Sequence, residues 1–90
     1  MVVKSSGDYD LPFGATLRRL RVGAGLSQED LALEAGIQRN FVSLIELGRN
    51  QPTITTVCKL ARALGLKASE LIAETERAAN RRSPARGTRP

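Results

Sequence analysis

The sequence predicts an all-α fold made of five short helices. Between residues 13 and 76 no stretch alternates apolar and polar positions as a half-buried strand does, and apolar residues recur at helical spacing. Glycines and one proline separate these apolar stretches, as helix stop signals do. With 90 residues, of which 41% are apolar and 3% aromatic, the chain is expected to form one small domain and not a two-domain enzyme.

The first helix is predicted to start at Asp10 and Pro12, because an acidic residue and a proline are both favourable in a first turn. Gly23 and Gly25 are predicted to end it. Its apolar positions repeat at intervals of three and four residues, which places them on one face. The residues predicted to face the core are Phe13, Leu17, Leu20 and Ala24.

The second and third helices are predicted to flank a tight glycine corner. Ser27 is expected to cap the second helix, with Asp30 three residues later in place of the usual Glu of a capping box. This helix is about nine residues long and ends at Gly36. Its predicted inward residues are Leu31, Ala32 and Ala35. The third helix is predicted over residues 38–47 and ends at Gly48.

The fourth helix is predicted to follow Pro52, with Thr53 as its N-cap and Gly65 at its end. Its inward residues are predicted to be Ile54, Val57, Leu60, Ala61 and Leu64. The fifth helix is predicted over residues 68–78. Lys67 stands where a serine or aspartate would cap better, so the start of this helix is expected to be weakly capped.

The net charge of +5 is unevenly distributed along the chain. An N-terminal extension, residues 1–12, has one lysine and two aspartates; residues 13–76 have eight bases and seven acids; residues 77–90 have five arginines and no acid. The last segment, rich in arginine, proline and glycine, is predicted to be a basic disordered tail. Because the domain itself is nearly neutral, a case for nucleic-acid binding must rest on individual residues.

Several chemistries are excluded by what the chain lacks. There is no histidine, and the single cysteine, Cys58, cannot form an intrachain disulfide or a Cys/His zinc site. No catalytic residue, metal or cofactor is therefore predicted, and Cys58 is expected to be a small buried apolar residue. No apolar run approaches the roughly 20 residues of a membrane span, and no signal sequence is evident. The expected location is the cytoplasm, without membrane association.

The third helix has the residues of a base-reading helix. A helix, a glycine turn and a second short helix form the helix-turn-helix plan. At about 100 degrees per residue, Phe41, Val42 and Ile45 group on one side of the third helix, opposite Arg39, Asn40, Ser43, Leu44 and Leu47. Arg39 can donate two hydrogen bonds to guanine and Asn40 can pair with adenine. Ser43 or Leu44 can contact a thymine methyl group.

Residues 26–54, LSQEDLALEAGIQRNFVSLIELGRNQPTI, resemble the Cro/CI-type, or XRE-like, helix-turn-helix repressors. The resemblance extends to LRRLR at residues 17–21 and VCKLARALG at residues 57–65, and covers about residues 13–72. It implies a compact, lambda-repressor-like five-helix domain. The stretch RNFVS followed by Ile45 and Glu46 is most similar to restriction–modification controller proteins, which are small dimers that regulate their own operon.

The resemblance also implies roles for individual residues. The base-reading positions are Gln38, Arg39, Asn40 and Ser43, and the phosphate contacts are Gln28, Arg49 and Asn50. Arg21 and Glu46 occupy the family positions of an ion pair that bridges helices one and three, and Phe41 is expected in the core. Two departures are evident: the family often has Ser or Thr at position 38, and a polar or basic residue at position 47.

Two classes of function remain open at this level. The main interpretation is a homodimer that binds a short palindromic double-stranded DNA operator, because one helix reads only a few base pairs. Its predicted interface is the apolar face of helix five, formed by Leu66, Leu71 and Ile72. The alternative is an antitoxin-type module that binds a protein partner and has operator binding as a secondary activity. RNA binding is disfavoured because few aromatic residues are available to stack on bases.

Overall fold

The computed structural model describes residues 9–82, which contain five α-helices and no strand. The helices are α1 Asp10–Gly23, α2 Gln28–Ala35, α3 Arg39–Glu46, α4 Ile54–Ala63 and α5 Ala68–Arg82. The predicted all-α, five-helix fold is therefore confirmed. Most of the predicted N-terminal extension and residues 83–90 of the predicted tail lie outside the described residues.

The core lies between the five helices. Helix α1 packs on α3 and α5, helix α4 packs on α2 and α5, and α2 packs on α3. The buried apolar side chains come from all five helices, so that no pair of helices forms a separate core. They are Phe13, Leu17, Leu31, Ala32, Ala35, Val42, Ile45, Val57, Leu60, Ala61 and Leu71.

Three residues that were predicted to face inward are instead exposed. Ala24 follows the last residue of α1 as its C-cap, so the helical face that was predicted to include it has already ended. Ile54 is the first residue of α4 and is 78% exposed, because the first turn extends past the core that Val57 reaches. Cys58 is exposed, since it lies on the outer face of α4 one position beyond that buried valine.

The caps that the sequence predicts at two helices are present. Ser27 Oγ accepts from the Asp30 backbone N–H at 2.9 Å, and Asp30 Oδ2 accepts from the Ser27 N–H at 3.0 Å, which completes the capping box. The hydrogen bond that the Ser27 backbone N–H donates to the carboxylate, with a smaller contribution from the Ser27 side chain, holds the pKa of Asp30 below its ordinary value. Thr53 Oγ1 accepts from the Thr56 N–H at 3.1 Å.

Helix α5 starts at Ala68 as predicted, but it ends later than predicted. At its start, the Lys67 backbone N–H donates to Glu70 Oε1 at 2.8 Å, which is the half of a capping box that an N3 carboxylate supplies. At its end, the helix continues to Arg82, four residues beyond the predicted end, and includes the first part of the segment predicted as tail. Before this extension, Glu74 accepts from Arg77 and from Arg19 of α1, both at 2.8 Å.

Helix α3 is held close to α1 by a glycine. A Cβ atom added at Gly14 would overlap the backbone oxygens of Ile45 and Glu46. Only a residue without a side chain therefore allows the end of α3 to approach α1 this closely. The approach fixes the position of α3 relative to the rest of the domain.

The corner between α2 and α3 depends on Gly36, which has φ +72°. We expect Gly36→Ala to lower the free energy of unfolding by about 1 kcal/mol, because an L-residue is strained in the left-handed region. The strain is in the backbone alone, since a Cβ there meets no atom within 4 Å. Urea denaturation measures the loss. Gly23→Ala is the matched control: a Cβ at Gly23 also meets open space, but Gly23 has no positive φ, so this substitution should not lower the free energy of unfolding. Equal stability of the two variants would contradict the prediction.

Candidate nucleic-acid interface

The turn after α2 orients α3 so that one face is fixed and the other is open. Gly36 caps α2 in a left-handed conformation, and the Ile37 N–H donates to the Ala32 carbonyl at 3.0 Å. On the inner face of α3, Val42 and Ile45 are fully buried. Because the inner face is packed into the core, the outer face of α3 is turned away from the core.

The candidate base-reading residues lie together on this outer face. Gln38 is the N-cap residue, with an extended backbone and no side-chain capping bond, and its side chain is exposed. Arg39 and Asn40 form the first exposed turn of α3, while Ser43 and Leu44 lie half-buried one turn further on. The helix begins one residue later and ends one residue earlier than predicted, so Leu47 is its exposed C-cap.

The candidate phosphate-binding residues lie outside α3, some after its end and one at the start of α2. Arg49 follows the helix and is exposed, and its backbone N–H donates to the Leu44 carbonyl at 2.9 Å. Asn50 is half-buried beside it. Gln28 is the first residue of α2, and the first backbone N–H groups of a helix have no partner within the helix, which suits them to bind an anion. The outer face of α3 is therefore flanked by polar groups suited to a sugar–phosphate backbone.

The predicted ion pair between α1 and α3 is confirmed. Arg21 Nε donates to Glu46 Oε2 at 2.6 Å and Arg21 Nη2 to Oε1 at 3.1 Å, with the two side chains 11% and 4% exposed. Arg21 Nη1 also donates to the Leu26 carbonyl at 2.8 Å. The hydrogen bond to Glu46 raises the pKa of the Arg21 guanidinium above its ordinary value. The pair and its bond to Leu26 thus link α1, the loop before α2 and the end of α3.

Sequence reasoning missed one connection at this site. Gln28 Nε2 donates to Glu46 Oε1 at 3.0 Å, and Gln28 Oε1 accepts from Arg39 Nη1 at 3.4 Å. A helical pattern within one element carries no information about contacts between side chains of two different helices, and Gln28 lies 18 positions from Glu46.

The predicted dimer interface needs one correction. Leu71 is fully buried in the core of its own chain, because α5 packs on both α1 and α4 and this residue lies between them. It cannot contact a second copy directly. Ile72 is 41% exposed and Leu66 is half-buried, packed against the core.

Residues 9–82 lack two further features. No helix there is long and apolar enough to cross a bilayer. The same part of the chain has no cluster of three or more potential metal ligands.

Comparisons with known proteins agree with this geometry. The model of a helix-turn-helix family, HTH_3, matches residues 17–71. An uncharacterised HTH-type transcriptional regulator of Sinorhizobium fredii is 38% identical over 63 residues, which are 70% of this chain and 82% of the relative. Control protein C.BamHI of Bacillus amyloliquefaciens is 33% identical over 63 residues, 69% of this chain and 78% of that protein.

A solved structure is similar to this chain in both sequence and fold. The restriction–modification controller protein C.AhdI of Aeromonas hydrophila is 41% identical and has a TM-score of 0.66. The match covers 68% of this chain and 92% of that protein. Fold and sequence therefore agree over the span that contains the helix-turn-helix.

Proposed function

The chain belongs to the helix-turn-helix family HTH_3, and it is on this basis that we propose how it regulates transcription. Members of this family are transcriptional regulators with a DNA-binding helix-turn-helix, not enzymes. We propose that this chain acts as a homodimer on a short palindromic operator. Each protomer inserts α3 into the major groove of one half-site.

The exposed first turn of α3 carries the proposal. Arg39 and Asn40 project from the helix on the side away from the buried Val42 and Ile45, so binding DNA requires no rearrangement of the core. The fork of Arg39 matches guanine O6 and N7, and the amide of Asn40 matches adenine N6 and N7. Specific reading is assigned to these two residues, with Gln38, Ser43 and Leu44 at the edges of the contact.

Phosphate contacts position α3 in the groove. Arg49 and Asn50, which follow α3, bind phosphates of one DNA strand. The backbone N–H groups at the start of α2 bind phosphates of the other strand. The second proton on Gln28 Nε2 remains available for a phosphate oxygen, because only one is used by Glu46. These contacts set orientation, whereas the bases are read by α3.

Dimer formation follows from the limited reach of one helix. A single α3 covers only a few base pairs, and the nearly neutral domain gains little sequence-independent affinity. Two copies related by a two-fold axis double the number of base contacts and require an inverted repeat. Ile72, exposed on α5, is the remaining apolar candidate of the predicted interface.

Binding selection from random duplexes, combined with sedimentation equilibrium, tests this function. The expected result is an inverted repeat with half-site centres about 34 Å apart and two chains per duplex. An enriched single half-site bound by one chain would contradict the dimer. Failure to enrich any sequence would contradict specific DNA reading itself.

We expect removal of residues 83–90 to weaken binding to all DNA sequences about equally. The segment contains Arg86 and Arg89, and each lost phosphate contact lowers the slope of log K against log salt concentration by about 0.9. The slope should therefore fall by up to about 2. Filter binding at several salt concentrations measures it, with Arg86→Gln/Arg89→Gln in the full chain as the matched control. A changed operator preference with an unchanged slope would show instead that this segment reads sequence.

A further inference from the structure

The carboxylate of Glu46 is shared between two helices besides its own. Its Oε2 accepts from Arg21 of α1, and its Oε1 accepts both from Arg21 and from the side-chain amide of Gln28 on α2. The Glu46 side chain is 4% exposed, so its oxygens have little access to water as an alternative partner. The Arg21 bonds alone suffice to bridge α1 and α3, so the bond from Gln28 is not needed for that bridge.

The third bond fixes the orientation of the Gln28 amide. A carboxylate only accepts hydrogen bonds, so the group that Gln28 turns toward Glu46 must be its Nε2. Its Oε1 then points away from Glu46 and faces Arg39 Nη1 at 3.4 Å. A guanidinium only donates, so Oε1 is the end of the amide that suits it. Glu46, Gln28 and Arg39 therefore form a directed chain of hydrogen bonds from the interior to the outer face of α3.

We propose that Glu46 is a positioning residue for base reading and acts through Gln28 on the guanidinium of Arg39. This inference rests on the proposed function, in which Arg39 reads a guanine. A long exposed arginine loses rotamer freedom when it binds, and that loss weakens binding. A partner that already holds one guanidinium N–H reduces the loss and directs the rest of the fork outward. Glu46 thus contributes to sequence preference without contacting DNA.

A double-mutant cycle tests the link between Gln28 and Arg39. Gln28→Met keeps the length of the side chain but removes both hydrogen bonds. Affinities are measured for the selected operator and for a duplex in which the guanine read by Arg39 is replaced in one half-site. We expect Arg39→Ala to remove a preference of about 5- to 150-fold. Gln28→Met should reduce the same preference about 2- to 10-fold, and should have no further effect on it once Arg39 is alanine.

Glu46→Gln tests whether Glu46 sets the orientation of the Gln28 amide. This substitution keeps the shape of the side chain but offers one acceptor oxygen instead of two. That oxygen keeps the hydrogen bond from Arg21. The new NH2 group then faces Gln28, whose amide must rotate and turn its own NH2 group toward Arg39. We expect the guanine preference to fall as in Gln28→Met, measured at a temperature where circular dichroism shows the variant folded. Glu29→Gln, on the exposed side of α2, is the matched control and should keep the preference.

The outcomes separate this inference from the proposed function. If the wild-type protein selects no sequence, the proposed function fails. If it selects a guanine that depends on Arg39, but Gln28→Met and Glu46→Gln leave that preference unchanged, the positioning role alone is wrong. If Gln28→Met weakens all duplexes equally and adds to Arg39→Ala, Gln28 is a phosphate contact only, which also overturns the positioning role.

Discussion

Glu46→Ala is expected to lower the free energy of unfolding by about 3 kcal/mol. The substitution leaves the Arg21 guanidinium, which is 11% exposed, without its carboxylate partner. A buried charge that has lost its partner costs much more than the pair contributes when intact. Gln28 loses its acceptor as well. Affinity for DNA should fall in the same variant, because α3 is held against α1 by this pair.

Thermal and urea denaturation measure the loss, and two variants control for its cause. Arg21→Met/Glu46→Leu removes both charges and should recover most of the stability, since two apolar side chains leave no unpaired charge. Glu74→Ala breaks the exposed pair with Arg19, in which the arginine side chain is 53% exposed, and should cost much less. A Glu46→Ala variant that melts like the wild type and yet fails to bind DNA would identify Glu46 as a DNA contact.

Local signals predicted the helices well, because each helix start and end depends on residues close in the chain. Ser27 with Asp30, and Thr53 with Thr56, form the caps that their spacing indicates. Gly36 ends α2 in the conformation that glycine favours. The Arg21–Glu46 pair was also predicted, but from the resemblance to a family and not from spacing, since the partners lie 25 positions apart.

The errors arise where the outcome depends on which part of a helix meets the core. Ile54 and Cys58 are apolar or small residues on α4, yet both are exposed, because the neighbouring helices cover only the face that includes Val57. Leu71 was assigned to an interface, whereas packing of α5 on two helices buries it completely. The bond between Gln28 and Glu46 depends on the relative placement of α2 and α3, which no single-helix pattern specifies.

Arg39→Ala is expected to remove sequence preference at one symmetric position of each half-site while leaving the fold unchanged. Arg39 is exposed, and its hydrogen bond within residues 9–82 is the 3.4 Å contact with Gln28, so its removal exposes no core residue. A bidentate arginine–guanine contact accounts for about 1 to 3 kcal/mol of discrimination against the wrong base. Binding selection from random duplexes with wild type and variant measures the change, and circular dichroism verifies the fold.

Two further variants distinguish base reading by Arg39 from simple charge attraction. Arg39→Lys keeps the charge but lacks the planar fork, so it should recover affinity for DNA in general and only part of the guanine preference. Arg49→Ala removes a cation assigned to phosphate, so it should weaken all sequences about equally and lower the salt slope by about 0.9. If Arg39→Ala behaves like Arg49→Ala and enriches the same guanines as the wild type, Arg39 binds phosphate. Base reading would then rest on Asn40 and its neighbours further along α3.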